Sequence, residues 1–85
     1  MTTKSIQIKL ENGLEARPVA LLVQEASKYE SRIYISSGEK RVNAKSIMGM
    51  MSLGLDNGEQ LEVSVEGEDE ESAVVNIEKF LSGQE

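Results

Sequence analysis

The chain has 85 residues, 39% apolar and 28% charged, with a formal net charge of −6 and neither cysteine nor histidine. That size and balance fit one small globular domain, residues 1–85, and leave no room for a second core. The missing residue types exclude disulfides, thiolate or imidazole metal sites, cysteine nucleophiles and a histidine general base.

Two further classes of function are disfavoured. An acidic chain is a poor nucleic-acid binder, because affinity for phosphates is largely electrostatic. No apolar run approaches the roughly 18 residues of a spanning helix. Met1-Thr2-Thr3-Lys4-Ser5 does not lead into a signal-peptide apolar stretch, so a cytoplasmic location is expected.

In chain order, Ile6, Ile8 and Leu10 alternate with Gln7 and Lys9, the period-two signature of a strand with one buried face. Asn12-Gly13 signals a turn. Val19, Leu22, Val23 and Ala26 recur at helical spacing behind Pro18, which is tolerated in a first turn because N–H groups there lack intrahelical partners. Ile33 and Ile35 open a second strand, and Ser37-Gly38 turns into a short third one around Arg41-Val42.

Ser46 is suited to cap a short helix carrying Ile47, Met48 and Met51, with Gly54 as terminator. For any one of those three apolar residues a core position is the simplest reading. A short helix cannot bury every side, however, so at least one is expected to face outward, and methionine adapts to varied partner surfaces. After an Asp56-Asn57-Gly58 turn, Leu61, Val63 and Val65 alternate with polar residues as a strand. Asp69 then caps a last helix whose stripe is Ala73, Val74, Ile77, Phe80 and Leu81, with Glu70 and Glu71 opposing the positive end of its dipole. The acidic run Glu66–Glu71 lacks the spaced ligands of a calcium loop and reads as a solvated helix start. The order β-α-β-β-α-β-α predicts an α+β fold, an antiparallel sheet covered on one face by helices.

Charge is unevenly distributed. Residues 1–55 carry +3 and residues 56–85 carry −9. The basic part includes Arg17, Lys40, Arg41 and Lys45, and an unevenly charged solvated surface accounts for this on its own.

Two segments carry a resemblance. Gly13-Leu14-Glu15-Ala16-Arg17-Pro18 and Asn43-Ala44-Lys45-Ser46-Ile47-Met48-Gly49 resemble the HPr family of bacterial phosphocarrier proteins, and the likeness in element order runs across nearly the whole chain. In that family the first motif reads Gly-Leu-His-Ala-Arg-Pro, and its histidine accepts a phosphoryl group. Here Glu15 stands in that place, so the chain is similar to the regulatory, Crh-type branch, which keeps the serine and lacks the histidine. The resemblance implies an HPr-like open-faced sandwich: four antiparallel strands covered on one face by three helices.

For function, the resemblance implies a regulator of carbon catabolite repression and no enzyme. Ser46 would be phosphorylated by an ATP-dependent HPr kinase/phosphorylase, and the product would act as corepressor of a LacI-type catabolite control regulator. No cofactor or metal is implied, and a monomer or weak homodimer is expected. The docking face would comprise Arg17, Ala20, Gln24, Ile47, Met48 and Met51 around Ser46, with Lys45 and Arg41 as candidates to position phosphoserine or kinase. From local chemistry alone Ser46 is a capping serine. The two roles are compatible, since a phosphate there adds about −1.5 to −2 charges at the positive end of a helix.

Glu15 is open to several readings: a favourable anion at a helix start, a permanent negative charge beside Arg17 that partners read, or a chemically possible acyl-phosphate site. The alternative function is a phosphocarrier or non-transferring docking protein of the sugar phosphotransferase system. A stand-alone enzyme finds no support in any nucleophile–base pair or phosphate-cradling glycine loop.

Overall fold

Leu61, Val63 and Val65 lie on the strand that holds the sheet together. In the computed structural model, which describes residues 1–11 and 16–83, that strand is β4. The elements are β1 (Thr2–Gln7), α1 (Ala16–Ser27), β2 (Arg32–Ser37), β3 (Lys40–Asn43), α2 (Ile47–Met51), β4 (Gln60–Glu66) and α3 (Glu70–Leu81). All strand pairs are antiparallel and the spatial order is β1-β4-β2-β3. The fold is α+β, as the element order predicts, and has the open-faced sandwich architecture that the resemblance implies.

Period-two patterning explains the one-sided cover. Leu61, Val63 and Val65 of β4 and Ile33 and Ile35 of β2 are buried, whereas Glu62 between them and Glu66 and Arg32 beside them face water. An antiparallel sheet tolerates this because no crossover helix has to cover its second face. Onto the apolar face pack Val19, Leu22, Val23 and Ala26 of α1 and Ala73, Val74, Ile77 and Leu81 of α3. Each fully buried Leu or Ile in this layer contributes about 1.5–3 kcal/mol relative to exposure. Phe80 is only partly buried at the edge of the same core.

Three details differ from the sequence reading. The first strand begins earlier, at Thr2, and its sheet pairing ends at Gln7. Ile8 and Lys9 are still held by backbone bonds, to Glu59 O at 2.9 Å and Leu81 O at 2.8 Å, so Ile8 is buried although it lies outside the strand. In α2 the residue that enters the core is Met50, with Leu53 three positions on, and Ile47, Met48 and Met51 are all exposed. At the start of α3, Asp69 occupies the N-cap position but gives its own helix no side-chain hydrogen bond.

The polar ends of α3 tie it to β1. Glu70 accepts from Thr2 Oγ1 at 2.5 Å and lies 3.5 Å from the N-terminal amine, and Lys4 pairs with Glu78 at 2.8 Å. The acidic run thus supplies helix-start and strand contacts. No group of three His, Cys, Asp or Glu residues able to hold a metal is present among the described residues.

Candidate modification and docking site

Ser46 sits where β3 hands over to α2, and its geometry is built by the residues before it. The Asn43 side chain accepts from the Lys45 N–H at 2.8 Å while the Ser46 N–H bonds to Asn43 O at 3.0 Å. This local turn competes with strand continuation and releases the chain from the sheet. Ser46 then adopts extended backbone angles, φ −109° and ψ 117°, and its Oγ accepts from the Gly49 N–H at 3.1 Å. That is the N-cap geometry its residue type favours. Its carbonyl accepts from Met50 N at 3.0 Å, so both ends of the serine hold the first turn of α2. The side chain remains partly exposed.

Around that hydroxyl lies an apolar surface. Ile47 is 50% exposed, Met48 85% and Met51 50%. Residues three and four apart share a helix face, so Met51 lies beside both Ile47 and Met48, with Met50 turned to the core on the other side. The far end of α2 is closed by polar contacts: Ser52 Oγ donates to Gly49 O at 2.6 Å and Lys40 Nζ to Ser52 O at 2.9 Å.

α1 packs against α2, which brings the first helix alongside this surface. Arg17 and Gln24 are exposed and Ala20 is half-buried. Leu21, 47% exposed, was missed by the sequence reading although it lies four residues after Arg17. Its signal was present: it is the one leucine of α1 that falls outside the buried Val19, Leu22, Val23, Ala26 stripe. Glu15 lies outside the described residues.

Two of the basic residues make contacts of their own within the fold. Arg41 sits opposite Ser36 in the sheet register, and its guanidinium stacks 4.4 Å above the Tyr34 ring. The neighbouring Val42 packs on the core, so alternation sends Arg41 to the uncovered sheet face, away from Ser46. Lys45 is engaged elsewhere: its Nζ donates to Tyr29 O at 2.6 Å, bracing the segment after α1. Lys40, by contrast, bonds to Ser52, the C-cap of α2.

Tyr29 is itself fixed by two side chains. Its hydroxyl donates to Glu25 at 2.8 Å and accepts from Asn76 of α3 at 2.6 Å. Burial, together with the Glu25 carboxylate, pushes the phenol pKa up, and the Tyr29 hydrogen bond holds the Glu25 carboxyl below its ordinary value. Through Lys45, this network anchors the residue next to Ser46.

The site is thus a partly exposed capping serine beside an outward apolar helix face. Residues 2–83 match the family described as the PTS HPr component phosphorylation site. The chain belongs to the HPr family.

Its relatives carry two names. The HPr-like protein Crh of Halalkalibacterium halodurans is 46% identical over 81 residues, 95% of this chain and 96% of that protein. The crystal structure of the phosphocarrier protein HPr from Bacillus anthracis superposes with a TM-score of 0.92 at 44% identity, covering 94% of this chain and 95% of that one. Bacillus subtilis Crh, described in its crystal as a swapped, intertwined dimer, gives a TM-score of 0.80 at 38% identity over 99% of this chain and 97% of that one. Among the described residues, no helix of this HPr-like protein is long and apolar enough to cross a membrane.

Proposed function

We propose that this HPr-like protein is a cytoplasmic regulator of carbon catabolite repression and has no catalytic activity of its own. An HPr kinase/phosphorylase transfers the γ-phosphoryl group of ATP to Ser46, and the phosphorylated form binds a LacI-type catabolite control regulator as corepressor. The observation that carries this reading is the position of Ser46. Its hydroxyl is partly exposed at the N-cap of α2, bordered by the outward side chains of Ile47, Met48 and Met51.

The chemistry fits the fold. An N-cap side chain already faces the first-turn N–H groups, so an added dianion meets donors and a favourable dipole there. The modification would therefore alter the surface while leaving the backbone in place. Recognition then rests on a charge set beside apolar contacts from α2 and on Arg17, Ala20, Leu21 and Gln24 of α1. The DNA contact belongs to the partner, in keeping with the acidity of this chain.

A second reading is favoured by the relatives that are named phosphocarrier protein HPr: a docking or carrier protein of the sugar phosphotransferase system. The absence of histidine from the sequence opposes the carrier version. The swapped dimer described for Bacillus subtilis Crh supports a homodimeric form of this chain as well.

Intact mass after two incubations separates the readings. With HPr kinase/phosphorylase and ATP, one phosphoryl group is expected, lost in Ser46→Ala. With phosphotransferase enzyme I and phosphoenolpyruvate, none is expected. Labelling only in the second mixture overturns the regulator.

A further inference from the structure

Gly49 is the residue that the Ser46 hydroxyl touches, and it is the one glycine among the described residues that lies inside a helix. Its backbone does not require glycine, since its φ is not among the positive ones. In a helix interior alanine is the better residue, because glycine loses more backbone freedom on ordering. A helix of only five residues has little to spare, so a glycine at its centre calls for a different explanation.

The space around Gly49 supplies it. A Cβ added there would lie 3.3 Å from Ser46 Oγ, 3.5 Å from Ser46 Cβ and 3.4 Å from Val42 Cβ. Val42 Cβ is fixed by the β3 backbone and cannot rotate away. The Ser46 hydroxyl can, by turning about χ1, but that turn carries it off the Gly49 N–H that it now accepts from at 3.1 Å. A methyl group at position 49 would also occupy room directly beside Oγ, on the side where the oxygens of an incoming phosphoryl group must be accommodated.

We propose that Gly49 is a positioning residue for the modification of Ser46. Its N–H holds the hydroxyl in one rotamer, and its bare Cα keeps open the space that the new P–O bond and its oxygens need. In the transfer, Ser46 Oγ attacks the γ-phosphorus of ATP, the bond to the β-phosphate oxygen breaks, ADP leaves and the hydroxyl proton passes to the kinase. This inference rests on the phosphorylation reading of Ser46 and adds a requirement at a residue that carries no side chain.

The test is Gly49→Ala, assayed with HPr kinase/phosphorylase and ATP beside the wild type and Ser46→Ala. Misplacing a reacting atom by an ångström costs about 100-fold in rate, and a changed χ1 rotamer moves Oγ by at least that much, so kcat should fall by about 100-fold. KM should change less, because the docking side chains are untouched. The midpoint of thermal unfolding should stay about level, because the helix gain from alanine offsets the lost cap, so a fall in rate cannot be laid to unfolding. Independently of any kinase, NMR couplings across the Ser46 χ1 bond should report a changed rotamer in Gly49→Ala.

Wild-type kinetics in Gly49→Ala overturn the positioning role while leaving Ser46 as the acceptor. An unlabelled wild type overturns the phosphorylation reading and this inference with it. An unchanged Ser46 rotamer overturns the steric account whatever the kinase does.

Discussion

The carboxylate of Asp69 accepts hydrogen bonds from both the main chain and the side chain of Ser31, across 38 residues of sequence. The Ser31 N–H lies 3.0 Å away, and the Glu30 N–H donates to the second carboxylate oxygen at 2.9 Å. Ser31 is 1% exposed, so its polar atoms must be satisfied within the protein. Asp69 therefore serves the entrance to β2 in place of its own helix. The backbone between the two is closely fitted as well: a Cβ on Gly67, whose φ is +153°, would approach Ser31 Cα to 2.6 Å.

These bonds, the one from the Ser31 hydroxyl first, hold the Asp69 carboxyl below its ordinary pKa. A carboxylate with a lowered folded-state pKa stabilises the fold above its unfolded value, and the contribution is lost as pH falls through the lowered one. Asp69→Asn should unfold at a lower temperature than wild type at neutral pH. The gap should narrow progressively below about pH 4. Thermal unfolding followed by circular dichroism across that range checks it; a gap that does not change with pH removes the charge from the explanation.

Why Asp69 was read as an ordinary cap shows where sequence reasoning stops. Cap preference is local: Asp before Glu70-Glu71 and an apolar stripe fits it. The competing acceptor demand came from Ser31, which no short-range pattern connects to Asp69. The strands and the two long helices were legible because one residue face per element is apolar, as with Leu61, Val63 and Val65 or Ala73, Val74 and Ile77. α2 was less so. In five residues a helix makes barely more than one turn, and Ile47, Met48, Met50 and Met51 are all apolar, so periodicity cannot choose which of them enters the core. Packing chose Met50, because Leu53 lies one turn further on the same side. Likewise Lys45 and Arg41 look alike as basic residues near a motif, and only the register of β3 and the placement of Tyr29 separate their directions.

That choice within α2 gives a paired prediction. Met50 is fully buried and Met48 is 85% exposed. Met50→Ala should cost about 2–5 kcal/mol through lost burial and the cavity left behind. Met48→Ala should leave stability within about 0.5 kcal/mol of wild type. Urea unfolding measures both. In partner binding the order should reverse: Met48→Ala weakens capture of the Ser46-phosphorylated protein by the regulator without unfolding it. A regulator affinity indifferent to Met48 would move the docking surface off α2.

Ser46 carries a structural duty separate from any modification. Its Oγ supplies the cap that the Gly49 N–H receives, and deleting such a cap costs about 1 kcal/mol. Ser46→Ala should therefore lower stability by that amount, whereas Ser46→Asp should not, since aspartate caps as well as serine. Chemical denaturation of the three proteins checks this. Equal losses in Ala and Asp variants would mean that the hydroxyl contributes little to α2, and that its position owes more to the Asn43 turn than to the cap.

The lost acceptor at the first motif can be tested by putting it back. Glu15 stands between Leu14 and Ala16, with Arg17 and Pro18 following, so the residues around the phosphocarrier position match the family motif except at the acceptor itself. Imidazole is a good nucleophile near neutral pH and a carboxylate is a poor one, and the negative charge of Glu15 also repels the phosphoryl donor. Glu15→His should therefore gain one phosphoryl group from enzyme I and phosphoenolpyruvate, while the parent protein gains none. Acid treatment should remove that label and leave a phosphate on Ser46 in place, because a phosphoramidate hydrolyses in acid and a phosphoserine ester resists it. A folded Glu15→His protein that stays unlabelled would show that the barrier lies beyond the missing imidazole, in a docking surface that enzyme I no longer engages.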